Sequence, residues 1–263
     1  MTLLRAMQAH DIDAVVAVID SQDDDDAQEA LKSYQRTDGV VDQFVLEHAG
    51  KIIGVTGFET PPGCDATHWL SWTYVHDEHA NQGHGRKMLG ELIDQLKSNG
   101  GRKLFIKVSD YVDEDDGAIY AAALHLYQSL GFEIELTHDD YYSEGEAQII
   151  LGLRLAQNKT NFGAIDNEAC AVQFNSVFEI NETDDAYSFG WQEGDSVFSL
   201  DDVKIGLEQV RNDNGRAVFL SFPTNFLHIS ETLYAAGFSN SGVLNDYYED
   251  GIDEQHYTYR FNN

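Results

Sequence analysis

The chain has 263 residues, of which 46 are acidic and 16 are basic, so its formal net charge at pH 7 is −30. Because so negative a surface repels phosphates, we expect neither nucleic acid nor an anionic membrane as a partner. The 42% of apolar residues can build real cores, and no apolar run approaches the ~20 residues of a membrane span, so the composition predicts one or two cytoplasmic domains.

The first informative stretch joins a strand to a helix through two glycines. Residues 69–75 are aromatic and β-branched, which favours a strand, and apolar residues recur at helical spacing between 88 and 96. Gly83 and Gly85 therefore lie where a helix begins. The first N–H groups of a helix have no internal partner, so a pyrophosphate could approach the main chain there. A plain tight turn would explain the same two glycines.

A second signal follows about forty residues later. Residues 123–130 predict a helix that ends at Gly131, which acts as a left-handed cap before a further strand. Together the two segments resemble the GNAT superfamily of acyl-CoA N-acyltransferases, whose motif runs Arg/Gln-x-x-Gly-x-Gly/Ala. Both glycines match, whereas Ala80 replaces the leading Arg/Gln. Tyr127, four residues before Gly131, matches the family tyrosine, and Tyr120 occupies a position that is often asparagine in the family.

The resemblance covers roughly residues 1–155 and implies an α/β fold, the α+β mixed sheet of the GNAT acyltransferases. Residues 3–6 and 10–13 resemble the family's opening strand and first helix. Residues 44–57 resemble its first hairpin, and residues 139–153 its closing hairpin.

The resemblance also implies direct transfer of an acetyl group from acetyl-CoA to a primary amine of a small molecule or peptide. The negative charge could draw in a cationic acceptor, but its even spread over both halves favours the alternative of a solvated surface adapted to salt. By this analogy the backbone of Tyr74 and Val75 pairs with the pantetheine arm, and Tyr127 is the general acid that protonates the leaving thiolate. The pyrophosphate would be held by a run of backbone N–H groups and two cations: Gln82, Gly83, His84, Gly85, Arg86 and Lys87. Tyr127 could instead be an ordinary packing residue.

The general base stays open. Ser71 stands where many family members carry a glutamate, and a serine cannot remove a proton unaided. The segment 76–79, which reads His-Asp-Glu-His, is close, and a histidine could act directly or through water. Deprotonation through a chain of water molecules without a dedicated base fits equally well. Cys64 and Cys170 lack metal-ligand spacing, so we expect no metal and no disulfide framework.

The C-terminal half repeats the end of the first half. Residues 140–145 (Asp-Tyr-Tyr-Ser-Glu-Gly) are answered by residues 246–251 (Asp-Tyr-Tyr-Glu-Asp-Gly), and the pair at 131–132 by Gly-Phe at 237–238. The sequence therefore predicts two tandem GNAT-like domains. The first spans residues 1–155 and the second, which lacks an opening module, spans residues 160–263, with a linker at 156–160.

The second copy loses the features that carry chemistry. Asp201 and Asp202 precede its helix in place of the two glycines, and Leu233 stands at the position of Tyr127. Carboxylates at a helix start compete with a phosphate. We therefore expect a non-catalytic domain that packs on the first, completes the substrate cleft or forms a homodimer surface. Two alternatives remain: a non-catalytic acyl-CoA-binding or scaffolding protein, and a pair of domains that serves oligomerisation alone.

Overall fold

The computed structural model describes residues 2–113, 117–156, 172–193 and 199–261. The chain folds into two compact units. The first comprises Met1–Ile106, Leu126–Phe132 and Leu153–Gln157, and the second comprises Lys107–His125, Glu133–Gly152 and Asn158–Asn263. The predicted domain boundary at 155–160 remains a prediction, because residues 157–160 lie outside the described residues. The same holds for Cys170 in the second half.

The first unit is built on a mixed sheet with helices α1 to α3. Its elements in chain order are β1 (Thr2–Ala6), α1 (Ile12–Asp20), α2 (Asp24–Tyr34), β2 (Gln43–His48), β3 (Lys51–Glu59), β4 (Thr67–Leu70), β5 (Tyr74–Val75), α3 (His84–Ser98) and the start of β6 (Lys103–Ser109). Short 3₁₀ turns at Ala9–Asp11 and Asp77–His79 precede α1 and α3.

The sheet of the first unit runs in the order β1-β2-β3-β4-β6. Neighbouring strands are antiparallel except β4 and β6, which are parallel and are joined by the crossover that contains α3. Strand β5 also pairs with β3, at Gly54 and Val55, whereas β4 pairs with the end of β3 at Phe58 and Glu59. After β4 the chain therefore stops pairing with β6, and among the described strands β5 pairs with β3 alone.

The acidic run Asp23–Asp26, whose composition alone is typical of a solvated loop, lies at the start of helix α2. Three of its four residues begin helix α2, and the carboxylate of Asp23 accepts a hydrogen bond from the backbone N–H of Asp26. Carboxylates are favourable at a helix N-terminus because they satisfy free N–H groups and oppose the positive end of the dipole. The run is therefore a helix start.

The second unit contains the remaining strands and two helices. In chain order these are β7 (Val112–Asp113), β8 (Gly117–Ala118), β9 (Glu133–Ser143), β10 (Glu146–Arg154), β11 (Val172–Glu179), β12 (Ala186–Glu193), α5 (Leu200–Asn212), β13 (Ala217–Pro223), α6 (Leu227–Ala236), β14 (Ser239–Glu249) and β15 (Ile252–Arg260). Helix α4 (Ala121–Ser129) has its last residues in the first unit. The C-terminal sheet runs β11-β12-β13-β15-β14.

The sequence repeat has a counterpart in element bounds. Strand β13 begins and ends 114 residues after β6, and the hairpin β14–β15 lies 106 residues after the hairpin β9–β10. In each hairpin an aspartate with positive φ, Asp140 or Asp246, accepts a 2.8 Å hydrogen bond from the glycine five residues on. The order of strand pairings also matches, because an antiparallel pair, a parallel pair across a helix and an antiparallel hairpin follow one another in both segments.

A buried polar chain links four strands of the second unit, β9, β13, β14 and β15. His138 on β9 is 4% exposed, and its Nε2 lies 3.1 Å from Nδ1 of His256 on β15. Nε2 of His256 lies 2.9 Å from the carboxylate of Glu254, which also accepts hydrogen bonds from Ser221 and Tyr248. With both imidazoles neutral, each N–H in the chain has an acceptor. Burial is the largest cause that lowers the pKa of His138 to about 3, followed by the charges of His256 and Arg260.

In the described part of the chain, no helix combines the length and the apolar character needed to cross a membrane.

Candidate functional site

The site begins at an unpaired strand edge. The N–H of His76 donates to the carbonyl of Ile53 on β3, and Tyr74 pairs with Val55, so the polar backbone groups of Tyr74 and His76 face β3. Because these groups alternate in direction along a strand, those of Val75 face the other way. Within the described residues no strand pairs with that side of β5. An extended, amide-rich ligand could pair there.

Two contacts from the segment around α2 define this edge. The carbonyl of Val75 accepts a 3.2 Å hydrogen bond from Nε2 of Gln22. The hydroxyl of Tyr74 donates to the carboxylate of Asp26, which fixes the tyrosine ring against α2. A ligand that pairs with the Val75 carbonyl must therefore displace the Gln22 amide.

Helix α3 begins at an open N-terminus. Gly83 is its N-cap residue with φ of 82°. This left-handed conformation is unfavourable for residues that have a Cβ. No side chain caps the helix and its first turn contains no acidic residue. The first N–H groups of α3 thus remain available to an anion, and the helix dipole adds to their attraction.

Gly85 has a different role from Gly83. A Cβ built on Gly85 would lie 3.4 Å from Leu126 on α4 and 3.9 Å from Val75 on β5. The start of α3 is therefore closely flanked by the unpaired strand edge and by α4. A side chain at residue 85 would fill the narrow space between them.

The two predicted cations lie beside this turn and are held in place. The guanidinium of Arg86 donates to the hydroxyl of Ser129 at 2.5 Å, which ties α3 to the end of α4. The ammonium of Lys87 donates to the carbonyl of Thr2 at 2.8 Å and lies 3.8 Å from Glu91. The partners of Arg86 in these contacts are uncharged, so its positive charge is not neutralised by them.

Four histidines surround the start of α3. The ring centroid of His48 lies 5.8 Å from that of His84 and 6.3 Å from that of His79, and His76 lies 6.3 Å from His79. Burial, followed by the charges of His48, His79 and Lys87, lowers the pKa of His84. Nδ1 of His48 is buried without a hydrogen-bond partner. Sequence reasoning named His84, His76 and His79 but missed His48, which comes from the distant strand β2.

Tyr127 lies on α4 and is only 6% exposed. Its ring packs edge-on against Phe132 at 5.8 Å between centroids, and its hydroxyl makes no hydrogen bond with any residue that the structure describes. Burial raises the pKa of Tyr127 to about 12, so the phenol is protonated at neutral pH. Its neighbour Leu126 is the residue that faces Gly85.

The position expected to carry a base is occupied by a neutral pair. The hydroxyl of Ser71 donates to Oε1 of Gln43 at 2.8 Å, and Gln43 is 5% exposed. Oδ1 of Asp77 lies 2.7 Å from Nδ1 of its neighbour His76, and both side chains are accessible to solvent. None of the described residues near Ser71 forms a buried carboxylate that could act as a strong base there. The general base stays unassigned.

The fold and the residues of this region agree with one family. A family model described as "Acetyltransferase (GNAT) domain" matches residues 41–134. This region is a GNAT acetyltransferase domain. The match includes the strand edge at Val75, the open start of α3 and the helix of Tyr127. The predicted family and the mixed α/β fold are therefore confirmed for this part of the chain, and the family supports acyl transfer as its general chemistry.

The chain is similar to several solved structures. A protein from Desulfovibrio desulfuricans assigned to the GNAT family is 23% identical, with a TM-score of 0.51 over 59% of this chain and 100% of that one. The ribosomal-protein-S18-alanine N-acetyltransferase of Escherichia coli is 24% identical, with a TM-score of 0.48 over 62% and 99% of the chains. A Salmonella typhimurium structure with acetyl-CoA is 20% identical, with a TM-score of 0.49 over 62% and 99%. No curated protein matches the sequence.

In the GNAT domain, three segments that are separate in the sequence lie next to one another. The strand edge at Val75, the glycine turn at Gly85 and Leu126 of α4 adjoin one another. Among the described residues, no three histidine, cysteine, aspartate or glutamate side chains are arranged to hold a metal ion. Sequence reasoning missed Gln22, Asp26, Gln43 and His48, because each contacts the site across a long stretch of chain and none belongs to a local motif.

Proposed function

We propose that the GNAT domain transfers an acetyl group from acetyl-CoA to a primary amine of a small molecule or peptide. The open N-terminus of α3 carries this proposal. A left-handed glycine, free N–H groups and a first turn without acidic residues favour anion binding there in an otherwise strongly acidic chain. Tyr74, Val75, Gln82, Gly83, His84, Gly85, Arg86 and Lys87 would hold the co-substrate.

The reaction needs no covalent enzyme intermediate. The neutral amine attacks the thioester carbonyl, a C–N bond forms, the C–S bond breaks, and the thiolate receives a proton. Tyr127 is the donor in this proposal, since its buried phenol keeps its proton at neutral pH. The ammonium form of the acceptor releases its proton to water or to a histidine of segment 76–79. Holding the two reactants together supplies much of the rate.

We also propose that residues 160–263 are a truncated GNAT-like copy without acyl-CoA chemistry. Ser199 is the N-cap residue of helix α5. Its hydroxyl accepts a hydrogen bond from the N–H of Asp202, and Asp201 and Asp202 lie in the first turn of the helix. This N-terminus is capped and negatively charged, which is the opposite of α3. Leu233, at the position of Tyr127, is fully buried.

Calorimetric titration of acetyl-CoA into the whole protein tests the proposal, followed by an assay for thiol release with primary amines. Gly83→Asp should abolish binding, because it puts a carboxylate at the anion site. Gly63→Asp is the matched control, since Gly63 has φ of 78° and open space around it, as Gly83 has. Saturation at one site per chain supports the proposal, and two sites would contradict the role given to the second copy.

Binding without transfer to any amine would favour the alternative, a non-catalytic acyl-CoA-binding or scaffolding protein. Unchanged affinity in Gly83→Asp would rule out the start of α3 as the pyrophosphate site.

A further inference from the structure

A cavity of about 540 Å³ opens in the first unit, away from the start of α3. The end of α2, the loop that follows it, the start of β2, the end of β3 and the segment between β4 and β5 form its walls. That segment contributes Trp72, which lies two residues before the predicted pantetheine contact at Tyr74. Trp72 and Tyr74 pack against the same apolar cluster. The cavity thus adjoins the segment that would present the thioester.

The charged groups of the cavity have an excess of acid. Asp38, Asp42 and Glu59 line it together with one cation, Arg36. None of the three carboxylates forms a hydrogen bond or an ion pair through its side chain with a described residue, and all three are exposed to solvent. Arg36 forms no ion pair with any of these three carboxylates. The formal charge of the cavity is therefore −2, and it is available to a ligand.

A buried polar side chain supplies independent support for a ligand site. Gln43 lines the cavity and is 5% exposed. Its Oε1 accepts the Ser71 hydroxyl, whereas its Nε2 makes no hydrogen bond with a described residue and is not among the fully buried atoms. One polar end of a nearly buried amide is thus left for an occupant of the cavity. Because the Ser71 hydroxyl can donate or accept, the amide can present either its oxygen or its nitrogen.

The remaining wall is aromatic. Phe58 and Trp72 line the cavity and are partly buried. Aromatic faces attract ammonium groups and pack against methylene chains. Unpaired carboxylates beside such faces suit a flexible, apolar chain with positive charge at more than one position.

We propose that this cavity is the acceptor site and that it selects an amine with at least two ammonium groups joined by an aliphatic chain. The proposal rests on the proposed acetyl transfer. One ammonium loses its proton and is acetylated next to Ser71 and Trp72, while the other stays paired with the carboxylates. A monoamine of the same length lacks the second interaction.

Calorimetry with the whole protein and CoA tests this inference, using 1,4-diaminobutane and n-butylamine as probes. The diamine should bind more tightly, by up to about fivefold, as expected for one further solvated ion pair. Asp42→Asn and Glu59→Gln should each weaken diamine binding by up to about fivefold and affect the monoamine less. Asparagine tolerates the left-handed φ of 58° at residue 42.

Asp94→Asn is the matched control, because it removes the same charge from an exposed position of α3 outside the cavity. Equal affinity for the two amines, or an equal loss in Asp94→Asn, would overturn the inference. The same samples are titrated with acetyl-CoA. Failure to bind acetyl-CoA counts against the proposed function, whereas acetyl-CoA binding without diamine preference counts against the acceptor site alone.

Discussion

The hydroxyl of Ser71 donates a 2.8 Å hydrogen bond to Oε1 of Gln43, at the point where β4 ends and the chain turns towards β5. Gly57 makes this contact sterically feasible. A Cβ on Gly57 would lie 2.3 Å from that oxygen and 2.7 Å from Oγ of Ser71. The pair therefore depends on a residue without a side chain on the neighbouring strand.

Gly57→Ala should accordingly destabilise the protein by about 1–3 kcal/mol, because the methyl group overpacks a buried polar pair. Gly90→Ala is the control in the same unit, since a Cβ there meets nothing within 4 Å and alanine favours a helix. Its expected effect is a gain of up to about 1 kcal/mol. Urea unfolding of both variants measures the difference, and equal stabilities would contradict the assigned packing.

Tyr127→Phe tests the general acid. If the phenol protonates the leaving thiolate, turnover should fall by about 10²-fold or more while acetyl-CoA affinity changes little. The variant retains the aromatic packing against Phe132, so a large loss of stability is not expected. Steady-state kinetics and calorimetry on the same preparation separate the two effects. Unchanged turnover would remove Tyr127 from the mechanism.

Because histidines lie around the start of α3, we expect acetyl-CoA binding to depend on pH. The fold lowers the pKa of His84, so its imidazole is neutral at pH 7 and above. A bound diphosphate favours the protonated ring, so protons are taken up on binding and affinity should rise as pH falls from about 8 to 6.

Comparison with His84→Gln isolates this contribution, because the phosphates of CoA titrate equally in both proteins. The wild type should gain up to about fivefold more affinity than the variant over this interval. Calorimetry in buffers of different ionisation enthalpy measures the proton uptake directly. Identical pH profiles would show that His84 does not sense the phosphates.

Because the pKa of buried His138 is lowered, we expect the second unit to lose stability in acid. Burial lowers its pKa to about 3 in the folded protein, whereas an unfolded histidine titrates near 6.5. Between these values the unfolded state binds more protons, so this contribution to stability is lost as pH falls from about 6.5 towards 3. His138→Gln removes the titration and keeps a donor for His256. Its stability should depend less on pH in this range, as chemical unfolding at pH 7 and pH 5 would show.

We expect the protein to become more stable when the hydroxyl of Tyr34 is removed. The side chain is 3% exposed, its hydroxyl is buried without a hydrogen-bond partner, and burial raises its pKa well above the usual range. Tyr34→Phe removes an unsatisfied polar group and should stabilise the protein by about 1 kcal/mol. A lower melting temperature in the variant would indicate that the hydroxyl has a partner in solution.

The local order of elements in the GNAT domain could be predicted from the sequence. The glycine turn between a β-branched strand and an amphipathic helix, and the Gly131 cap after α4, are decided by residues close in the chain. Gly131 and Gly83 both adopt the positive φ that such caps need. The internal repeat was visible for the same reason, because similar local sequences form strands with corresponding bounds.

The sequence alone predicted a glycine turn at the start of one helix and a tyrosine on a second helix of one GNAT-like domain, and the roles of these residues in acyl transfer stay predictions. Only the tertiary structure decided what surrounds them. Gln43 meets Ser71, His48 meets His84, and Gln22 meets Val75 through contacts between distant segments. Such contacts depend on strand register and helix packing, which no local pattern encodes. The charged cavity beside Trp72 arises in the same way, from carboxylates on the loop after α2 and at the end of β3 that only folding brings together.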